Sequence, residues 1–526
     1  MINYGLNHIP NGLTAVALGT FDGIHTGHFD VINFAVISAK KNGYIPCVIS
    51  FYPHPQEILS GKAPYALMTP SERETVQTLM GVELCYMLDF CEIRNLSPRQ
   101  FVKDILYDKL KVRSISCGYD YRFGEKGAGN AEILKSLCDE FKIELHVTEP
   151  VLCRGERVSS TRIRKEIENG NIALANEMLG RPFCYDFIVV GGLKNGRTIG
   201  FPTINQYFPE GFIMPKFGVY ASRTFVDGWW KPSVTNFGVR PTVGSDRPIS
   251  ETCILDYSGD LYGENVRVEL LEYIREEKKF SSLEALKEQI KIDSEKARLR
   301  SEIKAVLFDF DDTLSDRRTG FMEFAKYFLK KYFPDMSELE IGMRSEEMNI
   351  NNNGGYCDRS KFFSDIVKNY GMKNPPDEEV FFQEYDTVFP RYVRLFENTK
   401  DTLKALRSMG LKTGIITNGV SKMQHNKIKN TGIDDLIDVF SVSGDYDFKK
   451  PDKRVFDVTL QKLGLRSEQA VFVGDHPIND IRGAKGAGLN AVFMQHGFFD
   501  KTVIPDTVTI RDIGQIVEII RKNNKK

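Results

Sequence analysis

Short apolar runs alternate with stretches of helical spacing over the first 150 residues of the chain. Residues 29–41 carry apolar side chains at the spacing of an amphipathic helix, and helical patterns return at residues 161–168 and 172–179. Short apolar runs between helices are typical of buried parallel strands. The pattern therefore predicts a doubly wound, Rossmann-like parallel sheet with strands at residues 13–18, 47–51, 84–88, 114–117 and 144–147. Such a sheet binds ligands beyond the carboxyl ends of its strands.

The pattern changes near residue 185, where short β-rich segments follow one another between glycines and prolines. Four of them, at residues 187–192, 217–226, 249–258 and 265–274, predict an antiparallel β-barrel. A helix at residues 283–298 would then pack against this barrel.

The alternation of strands and helices returns after residue 302. Apolar runs at residues 305–308, 413–416 and 470–473 predict a second α/β domain, and most of residues 321–407 has the pattern of helices. A length of 526 residues fits about three domains. We expect a multidomain α/β chain with domains at residues 1–182, 183–302 and 303–526.

Composition narrows the range of partners and locations. The 70 Lys and Arg residues against 71 Asp and Glu give a net charge of −1, which provides no electrostatic footprint for nucleic acid or an anionic membrane. Nine cysteines without a Cys-x-x-Cys pair favour reduced thiols over disulfides or a zinc site. The N-terminus lacks a signal pattern, and no apolar run is long enough to span a membrane. We expect a cytoplasmic enzyme that acts on small molecules. The sequence leaves its oligomeric state open.

The segment GTFDGIHTGH, residues 19–28, connects the first predicted strand to a helix. A helix N-terminus offers free N–H groups and the positive end of a dipole, and both favour phosphate. Gly23 and Gly27 let the backbone approach a phosphate, while His25 and His28 can donate hydrogen bonds to phosphoryl oxygens as charge develops. We expect this turn to bind a nucleotide, with contacts from Gly19, Phe21, Asp22 and Gly27.

A second group of phosphate-binding side chains occurs in VSSTRIR, residues 158–164. Ser159, Ser160 and Thr161 stand at a predicted helix start, where hydroxyl groups cap free N–H groups and can also donate to phosphate. Arg164 lies one turn further along, and its guanidinium suits the β- and γ-phosphates of ATP.

Together with these two segments, seven more resemble the prokaryotic bifunctional riboflavin kinase/FMN adenylyltransferase family, also called FAD synthetase. FYPHP, LMTPSER and GYDYRFG, which start at Phe51, Leu67 and Gly118, are similar to its adenylyltransferase half. GRTIGFPTIN, PKFGVY, NFGVRPTV and SETCILDY, all between residues 196 and 257, are similar to its kinase half. The resemblance covers residues 1–302. One position departs from it, since the family pattern has a histidine where Cys253 stands.

The resemblance implies two reactions. In the first, the FMN phosphate attacks the α-phosphorus of ATP and pyrophosphate leaves, and Asp120 and Phe123 help to hold the flavin. His54 would hold the flavin as well, or would only order its own loop. In the second, Glu251 accepts the proton of the riboflavin 5′-hydroxyl as that oxygen attacks the γ-phosphorus of ATP. Thr203 and Asn205 would contact Mg²⁺ and ATP phosphate through oxygen atoms.

A glycine-rich segment near the kinase motifs does not qualify as a Walker phosphate loop. GGLKNGRT, residues 191–198, has Arg197 at the position of the lysine. The sequence that follows is β-like, whereas the loop must open a helix.

The third domain opens with FDFDDT, which puts Asp309 and Asp311 on one side of a strand end. IITNG with Thr417, KKPD with Lys450, and VFVGDHPIND follow in order, and the four motifs resemble the haloacid dehalogenase-like phosphohydrolases. The resemblance implies that Asp309 is the nucleophile and Asp311 the acid and base. Thr417 and Lys450 would hold the phosphoryl group, and the predicted Mg²⁺ site comprises Asp309, Asp311, Asp475 and Asp480.

A helical cap is expected at about residues 315–398, and in this superfamily the cap selects the substrate. Gln424 and Lys427 after the TNG motif resemble the nucleotidase-like branch. The candidate substrates are FMN, the phosphorylated ribitylamino-pyrimidine precursor of riboflavin, and a nucleotide. The alternative is a non-catalytic flavin-sensing or oligomerisation module, although such a module has no need of Asp309, Asp311 and Asp475 together.

Overall fold

The computed structural model describes residues 3–191, 200–239, 247–355, 357–372, 374–496, 499 and 501–524. The chain divides into two compact units, one of residues 1–226 with 230–301 and the other of residues 227–229 with 302–526. Among the described residues, no helix combines the length and the hydrophobicity that crossing a membrane requires. All nine cysteines are free thiols.

The first unit begins with a six-stranded parallel sheet. Its order is β1–β4–β3–β2–β5–β6, with β1 at Asn3–Tyr4, β2 at Thr14–Leu18, β3 at Ile45–Tyr52, β4 at Leu84–Asp89, β5 at Val112–Gly118 and β6 at Glu144–Thr148. The chain leaves β2 toward β3 on one side and later returns to β5 on the other. Ligand crevices form at such a reversal of strand order. The predicted Rossmann-like sheet is confirmed.

Helices surround this sheet and continue beyond it. They span Thr26–Asn42, Pro55–Ser60, Pro70–Met80, Phe90–Ile93, Pro98–Gln100, Ala131–Phe141, Ser160–Glu168 and Ile172–Leu179, with a π-helix at Phe101–Lys109. A small hairpin of β7 (Leu152–Cys153) and β8 (Glu156–Arg157) precedes the last two helices. The prediction for residues 172–179 agrees with the structure at both ends.

A curled antiparallel sheet follows in the same unit. Its order is β10–β13–β12–β11–β14–β9, with β9 at Phe183–Ile188, β10 at Thr203–Tyr207, β11 at Gly218–Val226, β12 at Trp229–Val239, β13 at Pro248–Ile254 and β14 at Asn265–Arg275. A backbone bridge between Val190 and Asn205 joins its two edges into a barrel. The helix Leu283–Ser301 packs against β11 and β14, as expected. Most of the rejected Walker-like segment, residues 192–198, lies outside the described residues.

The second unit contains another parallel sheet, in the order β19–β18–β15–β20–β21–β22. Its strands are β15 (Ala305–Phe308), β18 (Lys412–Thr417), β19 (Val439–Val442), β20 (Ala470–Gly474), β21 (Asn490–Met494) and β22 (Val508–Ile510). Two short strands, β16 (Ser315–Asp316) and β17 (Arg394–Leu395), pair with each other and enclose a helical cap. The cap helices are Arg317–Tyr332, Glu338–Asn352, Arg359–Asn369 and Glu378–Val388.

Four longer helices accompany the sheet of the second unit. They span Thr399–Ser408, Ser421–Thr431, Lys453–Leu463 and Gln515–Asn523. Because β15 lies between β18 and β20, residues that follow these three strands meet at one edge of the sheet. This edge carries the side chains that the sequence singles out.

Candidate functional site

The turn after β2 has the backbone of an anion-binding site. Phe21, Gly23 and Ile24 have φ angles of 50°, 81° and 36°, so the chain doubles back within a few residues. Within the described part of the chain, the N–H groups of residues 20–24 donate no hydrogen bond. The turn leads directly into the N-terminus of the helix Thr26–Asn42. Free N–H groups at a helix start provide the field that favours phosphate.

His25 and His28 lie together at this helix start. The Nδ1 atom of His25 accepts a hydrogen bond from the His28 backbone N–H at 3.2 Å, and the two rings stack with centroids 3.7 Å apart. Burial, with a contribution from Arg181, lowers the pKa of His25 to about 4, and burial also holds the pKa of His28 well below its usual value. Both rings are therefore neutral near pH 7, and since Nδ1 of His25 is an acceptor, its proton is on Nε2. Nδ1 of His28 is buried without a hydrogen-bond partner among the described residues.

Asp22 joins the turn to the second predicted phosphate segment. Its Oδ1 accepts from the backbone N–H of Leu67 at 3.0 Å, and its Oδ2 forms an ion pair with Arg164. The Ser160 hydroxyl donates to the Asp22 carbonyl at 2.9 Å, while Ser159 caps the helix that begins at Ser160. The two segments are thus neighbours, as expected for one nucleotide site.

The remaining phosphate contacts predicted in VSSTRIR stay predictions. Arg164 is engaged by protein groups in this structure, since its Nε also donates to the Tyr65 carbonyl at 2.6 Å. Thr161 is exposed at the helix start.

The three predicted flavin contacts have different surroundings. Phe123 is 6 % exposed and packs in the core with Phe101. Asp120 forms an ion pair with Arg157. The Nδ1 atom of His54 accepts from the Gln56 backbone N–H and caps the helix Pro55–Ser60. This contact favours the loop-ordering alternative for His54, and the flavin roles of Asp120 and Phe123 stay predictions.

One contact to the turn is absent from the sequence predictions. The guanidinium of Arg181 donates to the carbonyls of Ile24 and Gly23 at 2.9 and 2.8 Å, and its Nη2 lies 3.5 Å from a carboxylate oxygen of Glu72. Arg181 stands 158 positions after Gly23, so local sequence patterns could not reveal it.

The predicted kinase residues lie in a row across the barrel. Asn205 of β10 pairs with Glu251 of β13, which pairs with Asn236 of β12, so the three side chains project from the same face. Thr203 lies two residues before Asn205 on β10, opposite Cys253, and so is on the same face. Asn236 belongs to a motif quoted from the sequence, but its place beside Glu251 follows only from the strand register.

The kinase row fits an oxygen-preferring cation. Asn205 is 3 % exposed, and its Oδ1 has no hydrogen-bond partner among the described residues. The Thr203 hydroxyl and the Glu251 carboxylate are the neighbouring oxygen donors on this face. Amide, hydroxyl and carboxylate oxygens are ligands that Mg²⁺ accepts, with water and phosphate completing its shell.

In the second unit, carboxylates gather at the strand ends. Asp309 follows β15 and Asp475 follows β20, and one oxygen atom from each, with one from Asp480, lie within 4.8 Å of one another. The Nζ atom of Lys450 lies 2.7 Å from Oδ1 of Asp309 and 2.6 Å from Oδ1 of Asp480. The structure therefore brings the first, third and fourth motifs together.

The charges in this cluster are unbalanced. Burial raises the pKa of Asp309 to about 7, although Lys450 opposes the shift. Burial, followed by the charges of Asp480 and Asp309, holds the pKa of Asp475 well above its usual value. Burial lowers the pKa of Lys450, but the two carboxylates outweigh this effect and raise it to about 12. Three carboxylates around one ammonium fit an added divalent cation.

Asp480 and Asp311 differ from the other two aspartates. Both oxygens of Asp480 are engaged, Oδ1 by Lys450 and Oδ2 by the His476 backbone N–H at 2.9 Å. The Asp311 side chain lies outside the carboxylate cluster, because Lys427 donates to both of its oxygens at 2.9 and 2.7 Å. The predicted metal contacts of these two side chains stay predictions, and the geometry favours Asp309 and Asp475.

A second polar group connects Asp311 to Thr417. The Nε2 atom of Gln424 donates to Oδ2 of Asp311 at 3.0 Å and lies 2.6 Å from Oγ1 of Thr417 at the end of β18. Burial raises the pKa of Asp311, but Lys427 and Arg317 outweigh it and the net shift is downward. Asp311 is therefore a carboxylate in this arrangement.

Three family models match successive segments of the chain, and each segment contains one of the three groups of candidate residues described above. Residues 9–162 match the family model of FAD synthetase, residues 179–300 that of riboflavin kinase, and residues 306–494 that of haloacid dehalogenase-like hydrolase.

Curated relatives and a solved structure resemble the first part of the chain. The bifunctional riboflavin kinase/FMN adenylyltransferase of Bacillus subtilis is 36 % identical over 292 residues, which are 54 % of this chain and 91 % of the relative. The Escherichia coli protein of the same name is 34 % identical over 56 % of this chain and 95 % of its own length. A crystal structure titled as a macrolide-efflux protein from Streptococcus pneumoniae is 32 % identical and covers 57 % of this chain and 99 % of its own, with a TM-score of 0.52. The chain belongs to the bifunctional riboflavin kinase/FMN adenylyltransferase family and carries a haloacid dehalogenase-like domain after it.

Proposed function

We propose that the chain phosphorylates riboflavin to FMN, transfers AMP from ATP to FMN to give FAD, and hydrolyses a small phosphomonoester in its third domain. The observation that carries the flavin part is the turn with His25 and His28, two neutral imidazoles beside free backbone N–H groups. Both flavin reactions transfer part of ATP to an oxygen of the flavin, so positioning and charge stabilisation supply most of the catalysis.

For adenylyl transfer, a phosphate oxygen of FMN forms a bond to the α-phosphorus of ATP and the bond to pyrophosphate breaks. His25 would donate from Nε2, and His28 from whichever ring nitrogen carries its proton, to oxygens on which charge develops. The N–H groups of the turn would hold the neighbouring phosphates. Because both rings are neutral, they act as hydrogen-bond donors and not as charges.

For riboflavin phosphorylation, the 5′-hydroxyl oxygen forms a bond to the γ-phosphorus and ADP leaves. Glu251 would accept the hydroxyl proton, and Asn205 beside it would hold the phosphate end of ATP together with Thr203. Asn236 lies on the other side of Glu251 in the row, and its side-chain amide donates to Glu277 at 3.0 Å.

In the third domain, an oxygen of Asp309 would attack the substrate phosphorus while the bond to the leaving oxygen breaks and Asp311 protonates that oxygen. Water then attacks the aspartyl phosphate, and Asp311 takes the proton of the water. Lys427 keeps Asp311 ionised in the absence of substrate, so Asp311 would take up a proton from solvent as the phosphomonoester binds, give it to the leaving oxygen, and then accept the proton of the water as a carboxylate. Lys450 and Thr417 would hold the phosphoryl oxygens.

Magnesium ions bound by Asp309 and Asp475 in the third domain, and by Thr203 and Asn205 in the barrel, would neutralise charge on the phosphoryl groups. The charge imbalance at Asp475 supports the first site, and the Oδ1 atom of Asn205, which has no hydrogen-bond partner within the described residues, supports the second.

The test uses the purified full chain with riboflavin, ATP and Mg²⁺, and separates riboflavin, FMN and FAD by chromatography. We expect FMN to appear first and FAD afterwards. Phosphate release is measured separately with FMN, the ribitylamino-pyrimidine phosphate and nucleotides as substrates, with the Asp309→Asn variant as the blank. Release from any of them that is absent in the blank supports the phosphatase, and no release from all of them favours the non-catalytic module.

A further inference from the structure

Arg181 contacts two successive peptide groups of the nucleotide turn from a distant part of the chain. One terminal nitrogen donates to the Ile24 carbonyl at 2.9 Å and the other donates to the Gly23 carbonyl at 2.8 Å. A planar guanidinium presents its donors in a fixed fork, so it holds both carbonyl oxygens in a defined direction. None of the sequence motifs that led to the proposed function includes Arg181.

The direction of these carbonyls determines the direction of the next two N–H groups. In a trans peptide the C=O and N–H bonds point to opposite sides. Since the Gly23 and Ile24 carbonyls point toward Arg181, the N–H groups of Ile24 and His25 point away from it. Neither N–H group donates a hydrogen bond within the described residues. The arrangement presents two N–H donors on the side of the turn opposite Arg181.

Residues connected to the barrel by hydrogen bonds hold Arg181 in its orientation. Its partner Glu72 lies in the helix Pro70–Met80, which Thr69 caps. The Thr69 hydroxyl donates to Asp186 on β9, and Asp186 pairs with Arg267 on β14. Arg181 itself stands two residues before β9. The edge of the barrel therefore supports the residue that shapes the turn.

We infer that Arg181 is a positioning residue for adenylyl transfer. It keeps the Gly23 and Ile24 carbonyls away from the nucleotide, so that the N–H groups of Ile24 and His25 face the phosphates of ATP. This role rests on the proposed formation of FAD at the turn. It also makes the adenylyltransferase site dependent on the presence of the barrel, whereas within the described residues Arg181 forms no hydrogen bond or ion pair with the kinase row of Asn205, Glu251 and Asn236.

The test compares Arg181→Met and Arg181→Lys with the parent full-length chain. Without this pair of charge-assisted hydrogen bonds the two N–H groups are no longer held in place, so the KM for ATP in FAD formation should rise by about tenfold or more. Arg181→Lys retains a cation beside Glu72 and should recover part of the loss. Riboflavin phosphorylation should keep its parent KM and kcat in both variants.

Arg113→Met is the matched control. Arg113 also donates to a backbone carbonyl, that of Val112, but it lies at the start of β5, and the turn follows the end of β2. Strands β2 and β5 are parallel, so Arg113 lies at the opposite end of the strands from the turn. The control therefore removes a hydrogen bond from arginine to a backbone carbonyl away from the turn.

The KM separates positioning from a loss of folded protein, because fewer folded molecules lower the apparent kcat and leave the KM unchanged. Parent KM values for ATP in Arg181→Met would overturn the role of Arg181. If Arg181→Met does not fold, Arg181→Lys is measured in its place, and a parent KM for ATP in that variant would overturn the role of Arg181. Absence of FAD formation in the parent would overturn the proposed function instead, and ATP affinity measured by calorimetry would then decide the role of Arg181, with an unchanged affinity counting against it.

Discussion

The imidazole rings of His25 and His28 are stacked, with centroids 3.7 Å apart and an angle of 13° between their planes. Two charged imidazoles at this distance would repel each other strongly, and burial removes the solvent that would screen them. Burial is the largest cause of both lowered pKa values; the charge of Arg181 is the next cause for His25, and the charge of His25 is the next cause for His28. The pair therefore offers hydrogen-bond donors to phosphate without adding positive charge to the turn.

Replacing His28 by alanine removes one of these donors. Loss of a single transition-state donor costs about two orders of magnitude in rate, so FAD formation from supplied FMN should fall by roughly that factor. Riboflavin phosphorylation should stay close to the parent rate. The control is His146→Ala, which removes a ring that stacks on Phe34 away from the turn. An equal loss of both activities in folded protein would contradict separate sites.

Replacing Glu251 by glutamine keeps the size of the side chain and removes the proton acceptor. General-base catalysis contributes about 10²–10⁴-fold, so riboflavin phosphorylation should fall by about that factor while supplied FMN is still converted to FAD. Glu272→Gln is the control, since Glu272 forms an ion pair with Arg300 outside the row. Phosphorylation at the parent rate in Glu251→Gln would remove Glu251 from the mechanism.

Glu72 should make stability depend on pH. Burial raises its pKa from 4.5 to about 8, although Arg181 and Arg267 oppose the shift. Because the pKa in the folded state is above the unfolded value, the stabilisation is complete below pH 4.5 and is lost as pH rises through 8. Glu72→Gln cannot titrate, so the Tm of the parent should fall relative to the variant between pH 5 and pH 8.5. Parallel Tm curves would show that the carboxyl titrates normally.

Replacing Asp309 by asparagine removes the nucleophile of the third domain. Mg²⁺-dependent phosphate release should disappear, because an amide does not attack phosphorus. Beryllofluoride should inhibit the parent by mimicking the phosphoryl group on Asp309. The control is Asp457→Asn, which removes the partner of Lys453 in a partly buried ion pair within one helix. Release that persists in Asp309→Asn would assign the activity to another group or to a contaminant.

Asp475→Asn tests the metal site separately. Loss of one carboxylate weakens attraction for a divalent cation, so activity should require more Mg²⁺ and recover in part at high concentration. A titration of phosphate release against Mg²⁺ for parent and variant measures this shift. Identical Mg²⁺ dependence would exclude Asp475 from the metal shell.

The strands that the sequence predicts best are those in which every residue is buried. Strand β2 is buried along its whole length and is apolar after Thr14, and β15 is buried and apolar throughout. Strand β12 was missed because Ser233 and Thr235 face the barrel interior, where Ser222 bonds both hydroxyl groups at 2.8 Å. Buried hydroxyl groups that satisfy one another remove the apolar alternation on which strand prediction depends.

In the candidate site too, some residues could be predicted from the sequence and some contacts could not. Asp309, Asp475 and Thr417 could be predicted because parallel strands bring their carboxyl ends to one edge, so each motif carries its own position. The contacts of Arg181 with the turn and of Lys427 with Asp311 cross from one element to another. Such contacts have no local pattern, even where the sequence singles out the residue itself, as it does Lys427, and only the packing of the chain reveals them.

Asn205 takes part in two structural features, one through its backbone bridge to Val190 and one through its side chain. The Asn205 carbonyl accepts from the Val190 N–H at 2.8 Å and closes the barrel, while its side chain lies beside Glu251 in the kinase row. A ligand that binds the Asn205 amide also restrains the backbone that carries it, and by linkage it stabilises barrel closure. Exchange of the Val190 amide hydrogen with solvent should therefore slow when ATP and Mg²⁺ bind, so this single amide reports occupancy of the kinase site without any turnover.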